Sequence, residues 1–113
     1  MSDRITIENA EGTWVVRAGG AVIGESTDAL MLHEDGYSDV VYFPRSDIAM
    51  AFLDTSDKTT TCPHKGQASY FSIVTKSVTL NDAAWSYEDP KDDVKQIAGH
   101  VAFQHEDLAV ERV

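Results

Sequence analysis

The chain has 113 residues, 42% of them hydrophobic, and its nineteen acidic and nine basic residues give a formal net charge of −10. This length predicts one domain (residues 1–113), because two would each be too small to bury a useful core. The negative charge disfavours nucleic acids and anionic lipid surfaces as partners. No apolar run approaches the roughly 20 residues of a membrane helix, and the polar N-terminus lacks the pattern of a secretory signal. A single cysteine fits a reducing compartment, so we expect a cytoplasmic protein.

The first half of the chain predicts strands, because apolar residues recur with a period of two. Gly19-Gly20 tolerates the positive φ of a two-residue turn and predicts a hairpin over residues 13–26. After Pro44 the period changes, and Ser46 can cap a helix over residues 46–53. The other strands of this half are expected at residues 4–8, 29–34 and 39–44.

The second half predicts strands again, with a polar connection at residues 88–99 that has room for one helical turn. The segments 100–104 and 108–113 are expected to close the chain as a hairpin. About ten short strands and one helix predict a mainly β fold at the margin of α+β, curled on itself or barrel-like to avoid long open edges. The remaining strands are expected at residues 59–62, 68–74, 77–81 and 83–87.

The stretch CPHKG, residues 62–66, is predicted to be a β-turn between two strands. Pro63 presets φ at the second turn position, and Gly66 can adopt the positive φ that restarts the partner strand. The turn requires neither Cys62, His64 nor Lys65. The loop is therefore either a reactive thiolate in a basic setting or a packed cysteine beside a pocket-forming lysine. We favour the second reading, which makes Lys65 and then Cys62 the candidates for any catalytic role.

Two charged residues near strand ends are further candidates. Glu34 continues the apolar face of its strand, so it either ends in solvent or points inward, where Arg45 or Lys65 would have to neutralise it. Arg45 follows a strand end and can clamp a carboxylate or phosphate, or else form a surface ion pair.

Aromatic residues and histidines complete the candidates. Trp85 and Tyr87 share one strand face and either line a pocket for a flat ligand or belong to the core with hydrated polar tips. The histidines have no ligand spacing, and with one cysteine neither a structural zinc nor another cofactor is expected. The predicted ligand-binding residues are Glu34, Tyr42, Arg45, His64, Lys65, Tyr70, Trp85 and Tyr87.

Four stretches resemble a known family: YFPRSD, TTTCPHKGQASY, AAWSYEDP and IAGHVAF, in this order between Ile23 and Phe103. The family is domain of unknown function 427, which also carries a nucleotidyltransferase-type label. The resemblance implies a compact β-rich domain of the β-tent or Mss4-like group. The paired CxxC motifs that hold zinc in many members of that group are missing here, and His64 stands where an aromatic residue is expected. The signature positions that match are Tyr42, Arg45, Cys62, Lys65, Gly66, Tyr70, Trp85 and Tyr87.

These features predict the binding of a small anionic ligand, with or without a reaction, in a pocket near Arg45, Lys65 and Tyr70. The alternative is a protein-interaction or structural module whose motif residues specify turns and core. A nucleotidyltransferase-type enzyme is the weaker alternative, because the sequence has no acidic pair spaced to bind a catalytic metal. Convergence of Arg45 and Lys65 on one cavity would favour the first hypothesis.

Overall fold

Ten β-strands and three short 3₁₀ segments make up the structure, a computed structural model that describes residues 4–113. The mainly β prediction is confirmed. All strand pairs are antiparallel, and they form three sheets in the orders β1-β4-β5, β10-β2-β3 and β6-β7-β8-β9. The strands are β1 (Ile5–Asn9), β2 (Trp14–Ala18), β3 (Ala21–Ser26), β4 (Leu30–Glu34), β5 (Val40–Tyr42), β6 (Leu53–Cys62), β7 (Gly66–Val74), β8 (Thr79–Ser86), β9 (Val101–Phe103) and β10 (Leu108–Arg112).

The four-stranded sheet separates two hydrophobic cores. Successive side chains of a strand point to opposite faces of the sheet. Phe71 and its partner Ala84 therefore lie on one face, and Tyr70 and its partner Trp85 lie on the other. The Phe71 face packs against β2, β3 and the segment that begins with Phe43. The Tyr70 face packs against β4, β5 and the 3₁₀ segment Asp92–Ile97. Five of the family signature residues belong to the core of the Tyr70 face: Tyr42, Cys62, Tyr70, Trp85 and Tyr87.

Strand β5 lies between the two cores. Tyr42 is buried in the core of the Tyr70 face, whereas the next residue, Phe43, is buried in the core of the Phe71 face and forms a bridge with Val101 of β9. Within residues 4–113 the sheets stay separate and do not close into a barrel. The barrel-like form is therefore wrong, and the described strands form three sheets rather than a single curled one.

The helix predicted at residues 46–53 is wrong. This segment contains two single 3₁₀ turns, Arg45–Asp47 and Met50–Phe52, and β6 begins at Leu53. Ser46 makes no capping hydrogen bond, and Ile48 is extended (φ −111°, ψ 137°) because it pairs with Gly24 and is buried in the core. Tertiary strand pairing outweighs the local helical pattern here.

Two other predicted boundaries are wrong as well. The two strands expected at 77–81 and 83–87 are one strand, β8, in which Asp82 takes a φ of +53° and its N–H donates to Ser72 Oγ at 3.1 Å. The expected C-terminal hairpin does not form, because β9 pairs with β8 and β10 pairs with β2. The expected hairpin of β2 and β3 is confirmed, with Gly19 at a φ of +60°. In the described part of the chain, no helix has the length and apolar composition that a membrane crossing requires.

Candidate functional site

The predicted turn at CPHKG is confirmed and places Lys65 at the end of the Tyr70 face. The N–H of Lys65 donates to the carbonyl of Cys62 at 3.3 Å, and Gly66 has a φ of +112°. The carbonyl of Lys65 accepts a 3.0 Å hydrogen bond from the N–H of Lys91, which ties the turn to the connection after β8. Backbone bonds on both sides of Lys65 therefore set the direction in which its side chain leaves the turn.

Lys65 forms a shielded ion pair with Glu34, the last residue of β4. Lys65 Nζ lies 2.7 Å from Glu34 Oε1, and the two side chains are only 13% and 9% exposed. The ammonium also lies 6.0 Å from the ring centroid of Tyr87. Of the two orientations considered for Glu34, the structure has the inward one, with Lys65 rather than Arg45 as its cation.

A cavity of about 920 Å³, the main cavity, lies between β4, β5 and the β6–β7 turn. Its apolar wall includes Met31, Val40, Val41 and Phe103, and its charged wall includes the Lys65–Glu34 pair. Of the predicted site residues, this cavity is lined by Glu34, Cys62, His64, Lys65 and Trp85.

A second cavity of about 350 Å³, the tyrosine cavity, adjoins the main cavity and shares Val40, Lys65, Trp85 and Gln104 with it. Three tyrosines from three elements converge there, because Tyr42 follows the inward alternation of β5 while Tyr70 and Tyr87 follow that of β7 and β8. The predicted residues that line it are Tyr42, Lys65, Tyr70, Trp85 and Tyr87.

The phenols of Tyr42 and Tyr87 remain protonated across the physiological pH range, because burial raises the pKa of both. Burial raises the pKa of Tyr42 to about 12, although the hydrogen bond from Trp85 opposes this shift. Burial likewise raises the pKa of Tyr87 above its ordinary value of 10. Trp85 Nε1 donates to the Tyr42 hydroxyl at 3.3 Å, and the hydroxyls of Tyr70 and Thr60 are 3.1 Å apart.

Arg45 does not join this site, so its expected convergence with Lys65 is wrong. Its guanidinium lies 5.7 Å from the ring centroid of Phe71, donates to Ser86 Oγ at 3.3 Å and pairs with Glu88 at 2.7 Å. Ser86 also donates a hydrogen bond to Glu88, and this bond, followed by those from Arg45, lowers the pKa of Glu88. Phe71 and Ser86 belong to the opposite face of the sheet, and Arg45 lines neither of the two cavities.

His64 lies on the wall of the main cavity beside Arg4. Arg4 Nη1 is 3.2 Å from His64 Nε2, and because guanidinium can only donate, the histidine accepts through this nitrogen. Cys62 is partly buried and packs against the core of the Tyr70 face. His64 therefore provides a polar contact in this wall, and Cys62 combines packing with access to the cavity.

Sequence reasoning missed Lys58, which lines the tyrosine cavity with its Nζ 4.6 Å from the ring centroid of Tyr70. The stretch SDKTTT contains no recognisable motif, and β6 was expected to begin only after it. The period of two that places Lys58, Thr60 and Cys62 on one strand face is the signal that would have found it.

His33 lies outside both cavities, between two carboxylates of neighbouring segments. Its Nε2 is 2.7 Å from Glu8 Oε2 and its Nδ1 is 2.8 Å from Asp39 Oδ1. Asp39 also belongs to the wall of the main cavity, so this histidine connects β1 to the cavity rim. Among residues 4–113, no three His, Cys, Asp or Glu side chains are grouped so that they could hold a metal ion.

Comparison with known proteins bears on the whole site at once. No curated protein matches the chain. A family model described as Domain of unknown function (DUF427) matches residues 6–113, which include every residue of both cavities except Arg4. The resemblance inferred from the four sequence stretches is thus confirmed. Since the match spans nearly the entire chain, the protein belongs to the DUF427 family.

Proposed function

We propose that this domain binds a small organic anion at Lys65, with the apolar body of the ligand in the main cavity. The observation that carries the proposal is a lysine that is only 13% exposed and stands at the junction of two cavities. The Lys65 ammonium has three N–H donors, of which Glu34 engages one, so two are available to a ligand.

The surroundings of Lys65 favour an anion with an apolar body. A cation shielded from water interacts with an anion more strongly than an exposed one does. Met31, Val40 and Val41 offer apolar surface to the rest of the molecule, as is usual for pockets that bind small ligands. In a protein with a net charge of −10, a shielded cation also gives the ligand a specific point of attraction.

The single cysteine provides a direct test, because Cys62 lines the main cavity. We expect benzoate to slow alkylation of Cys62 by iodoacetamide, a neutral reagent, whereas benzamide of the same shape should not. The double variant Lys65→Met/Glu34→Gln, which removes both charges together, should lose the protection. Alkylation of N-acetylcysteine serves as the control for direct effects of benzoate. If no member of a panel of aromatic and aliphatic carboxylates, sulfonates and phosphates protects Cys62, the proposal is wrong.

The alternative proposal, a structural or interaction module, is favoured by Arg45. Its bonds to Ser86 and Glu88 bring together parts of the chain that are far apart in sequence, and Arg45 lines neither cavity. Under this alternative, substitution of Arg45 would lower the stability of the fold, and no anion of the panel would protect Cys62.

A further inference from the structure

We infer that the tyrosine cavity is a carboxylate subsite, in which Lys65, Tyr42 and Tyr87 donate hydrogen bonds to the head group of the ligand while its apolar body occupies the main cavity. This inference rests on the proposed function and adds to it the chemical class of the head group and the direction in which the ligand lies.

Tyr42 and Tyr87 each bring to the tyrosine cavity a hydroxyl proton that has no acceptor in the described chain. Tyr87 is only 5% exposed, lines the tyrosine cavity, and its hydroxyl has no hydrogen-bond partner among residues 4–113. Tyr42 is 1% exposed, and its hydroxyl accepts from Trp85 while its own proton has no acceptor in the described chain. The fully buried side-chain N or O atom that lacks a partner in the described chain is Arg45 Nε, not the Tyr87 oxygen, so the Tyr87 hydroxyl is open to the cavity that it lines. Two such donors at one cavity are available to an acceptor that enters it, and residues 4–113 do not supply one.

The hydroxyl groups of Tyr42 and Tyr87 keep their protons. The pKa of both phenols is raised by burial, so neither becomes a phenolate that would repel an anion. The ammonium of Lys65 adds two more donors to the same cavity. A carboxylate accepts hydrogen bonds only, at two oxygens with about four lone-pair sites. The donors of this cavity match that acceptor set.

The charges around the tyrosine cavity favour a carboxylate over a phosphate monoester as the head group. Lys58 and Lys65 bring two positive charges to the tyrosine cavity, while Asp82 lies in its wall and Glu34 is bonded to Lys65. Two cations and two carboxylates leave little net charge. In a site without net charge, the second charge of a dianion adds a desolvation cost that no further cation offsets, so a monoanion is favoured.

The main cavity and the tyrosine cavity are connected. Val40, Lys65, Trp85 and Gln104 line both of them, so a molecule can contact Lys65 from the tyrosine cavity and extend into the main cavity. The larger cavity has the apolar wall and the smaller has the phenols. The ligand is therefore an amphipathic monocarboxylate with a flat or branched apolar body.

Tyr87→Phe is the decisive variant, because it removes a hydroxyl that has no hydrogen-bond partner among residues 4–113. We expect the unfolding midpoint in urea to stay the same or rise, since no internal hydrogen bond is lost. Benzoate affinity, measured by isothermal titration calorimetry, should fall about tenfold, as expected for one hydrogen bond to a charged group. A merely structural tyrosine would not combine undiminished stability with weaker binding.

Two further measurements complete the test. Tyr42→Phe should also weaken benzoate binding, and Tyr70→Phe should weaken it less, because the Tyr70 hydroxyl already pairs with Thr60. In the wild type, benzoate should bind more tightly than phenyl phosphate, and benzamide should bind more weakly than either.

The outcomes separate this inference from the proposed function. If benzoate binds the wild type and Tyr87→Phe equally well, while Lys65→Met/Glu34→Gln loses binding, the subsite is refuted and the proposed function stands. Tighter binding of phenyl phosphate than of benzoate would refute the carboxylate class in the same way. If no organic anion binds the wild type, the proposed function fails and this inference fails with it.

Discussion

At the scale of single residues, the Lys65–Glu34 pair combines stability with the proposed binding. Both side chains are nearly shielded from water, so removal of one partner leaves the other as an uncompensated charge. We predict that Lys65→Met lowers the free energy of unfolding by about 3 kcal/mol in urea titrations, as for other broken buried ion pairs. The double variant Lys65→Met/Glu34→Gln should recover most of that loss.

Lys65→Arg is the matched control for these two variants, because it keeps the positive charge while changing the head group that carries it. A loss in Lys65→Met of less than about 1 kcal/mol, the usual limit for an exposed pair, would mean that water screens the pair more than its burial implies. A destabilised double variant would show instead that the lysine stem contributes through packing.

His33 leads to a prediction about pH. The hydrogen bond to Asp39, and next that to Glu8, raise the pKa of His33 above its ordinary value of 6.5. The charged form is therefore favoured in the folded state, and its stabilising contribution is complete below about pH 6.5 and disappears as the pH rises through the folded pKa. We predict that His33→Gln lowers the urea midpoint at about pH 6 and has a smaller effect at about pH 9.

The control for this pH effect is His105→Gln: among residues 4–113 its ring has one carboxylate within reach, Asp107 at 4.0 Å, and its Nδ1 accepts a hydrogen bond from the Asp107 N–H at 3.0 Å. The His33 ring titration, followed by proton NMR, should report a pKa above that of a model histidine. A ring that titrates at or below 6.5 would contradict the prediction.

At the scale of elements, the β6–β7 turn depends on Gly66. Its φ of +112° is unfavourable for any residue with a Cβ, although a Cβ there would meet no atom closer than 3.5 Å. The cost of Gly66→Ala is therefore conformational rather than steric, and we predict a loss of about 1–3 kcal/mol in the free energy of unfolding. Urea titration of the purified variant measures it.

Gly20→Ala is the matched control in a second tight turn. A Cβ at Gly20 meets nothing within 4 Å, and its φ is outside the positive range. We expect this variant to stay within about 0.5 kcal/mol of the wild type, as for most surface substitutions. Equal losses at both glycines would show that the turn at Gly66 relaxes to accept a side chain.

At the scale of the whole molecule, the contacts of Arg45 lie outside the walls of both cavities. Arg45→Met should leave benzoate binding unchanged, because Arg45 lines neither cavity. Its stability should fall by no more than about 1 kcal/mol, since the pair with Glu88 is partly exposed. Calorimetry and urea titration measure benzoate binding and stability in this variant. The variant Lys65→Met/Glu34→Gln is run beside it for comparison. Weakened benzoate binding in Arg45→Met would show that Arg45 and the cavities are coupled.

The sequence predicted short-range features well, because their causes are local. The period of two identified most strands, Gly19-Gly20 identified the β2–β3 hairpin, and Pro63 with Gly66 identified the turn that carries Lys65. The helix at residues 46–53 failed because Ile48 pairs with Gly24, a residue distant in sequence. Local pattern has no information about a partner of that kind.

The sequence identified most residues of the candidate site but only part of their spatial arrangement. Tyr42, Tyr70, Trp85 and Tyr87 were recognised from motifs and do line one cavity with Lys65. Lys58 was missed because it lies in a polar stretch without a motif.

The sequence alone determined the class of fold, the family and the β6–β7 turn, since strand periodicity, turn chemistry and a motif order are properties of neighbouring residues. Only the tertiary structure decided that Glu34 points inward to Lys65 and that Arg45 lies on the opposite face. The reason is physical. Alternation along a strand determines which face of the sheet a side chain occupies. Packing between segments far apart in the chain determines which sheet covers that face and which charged side chains form pairs.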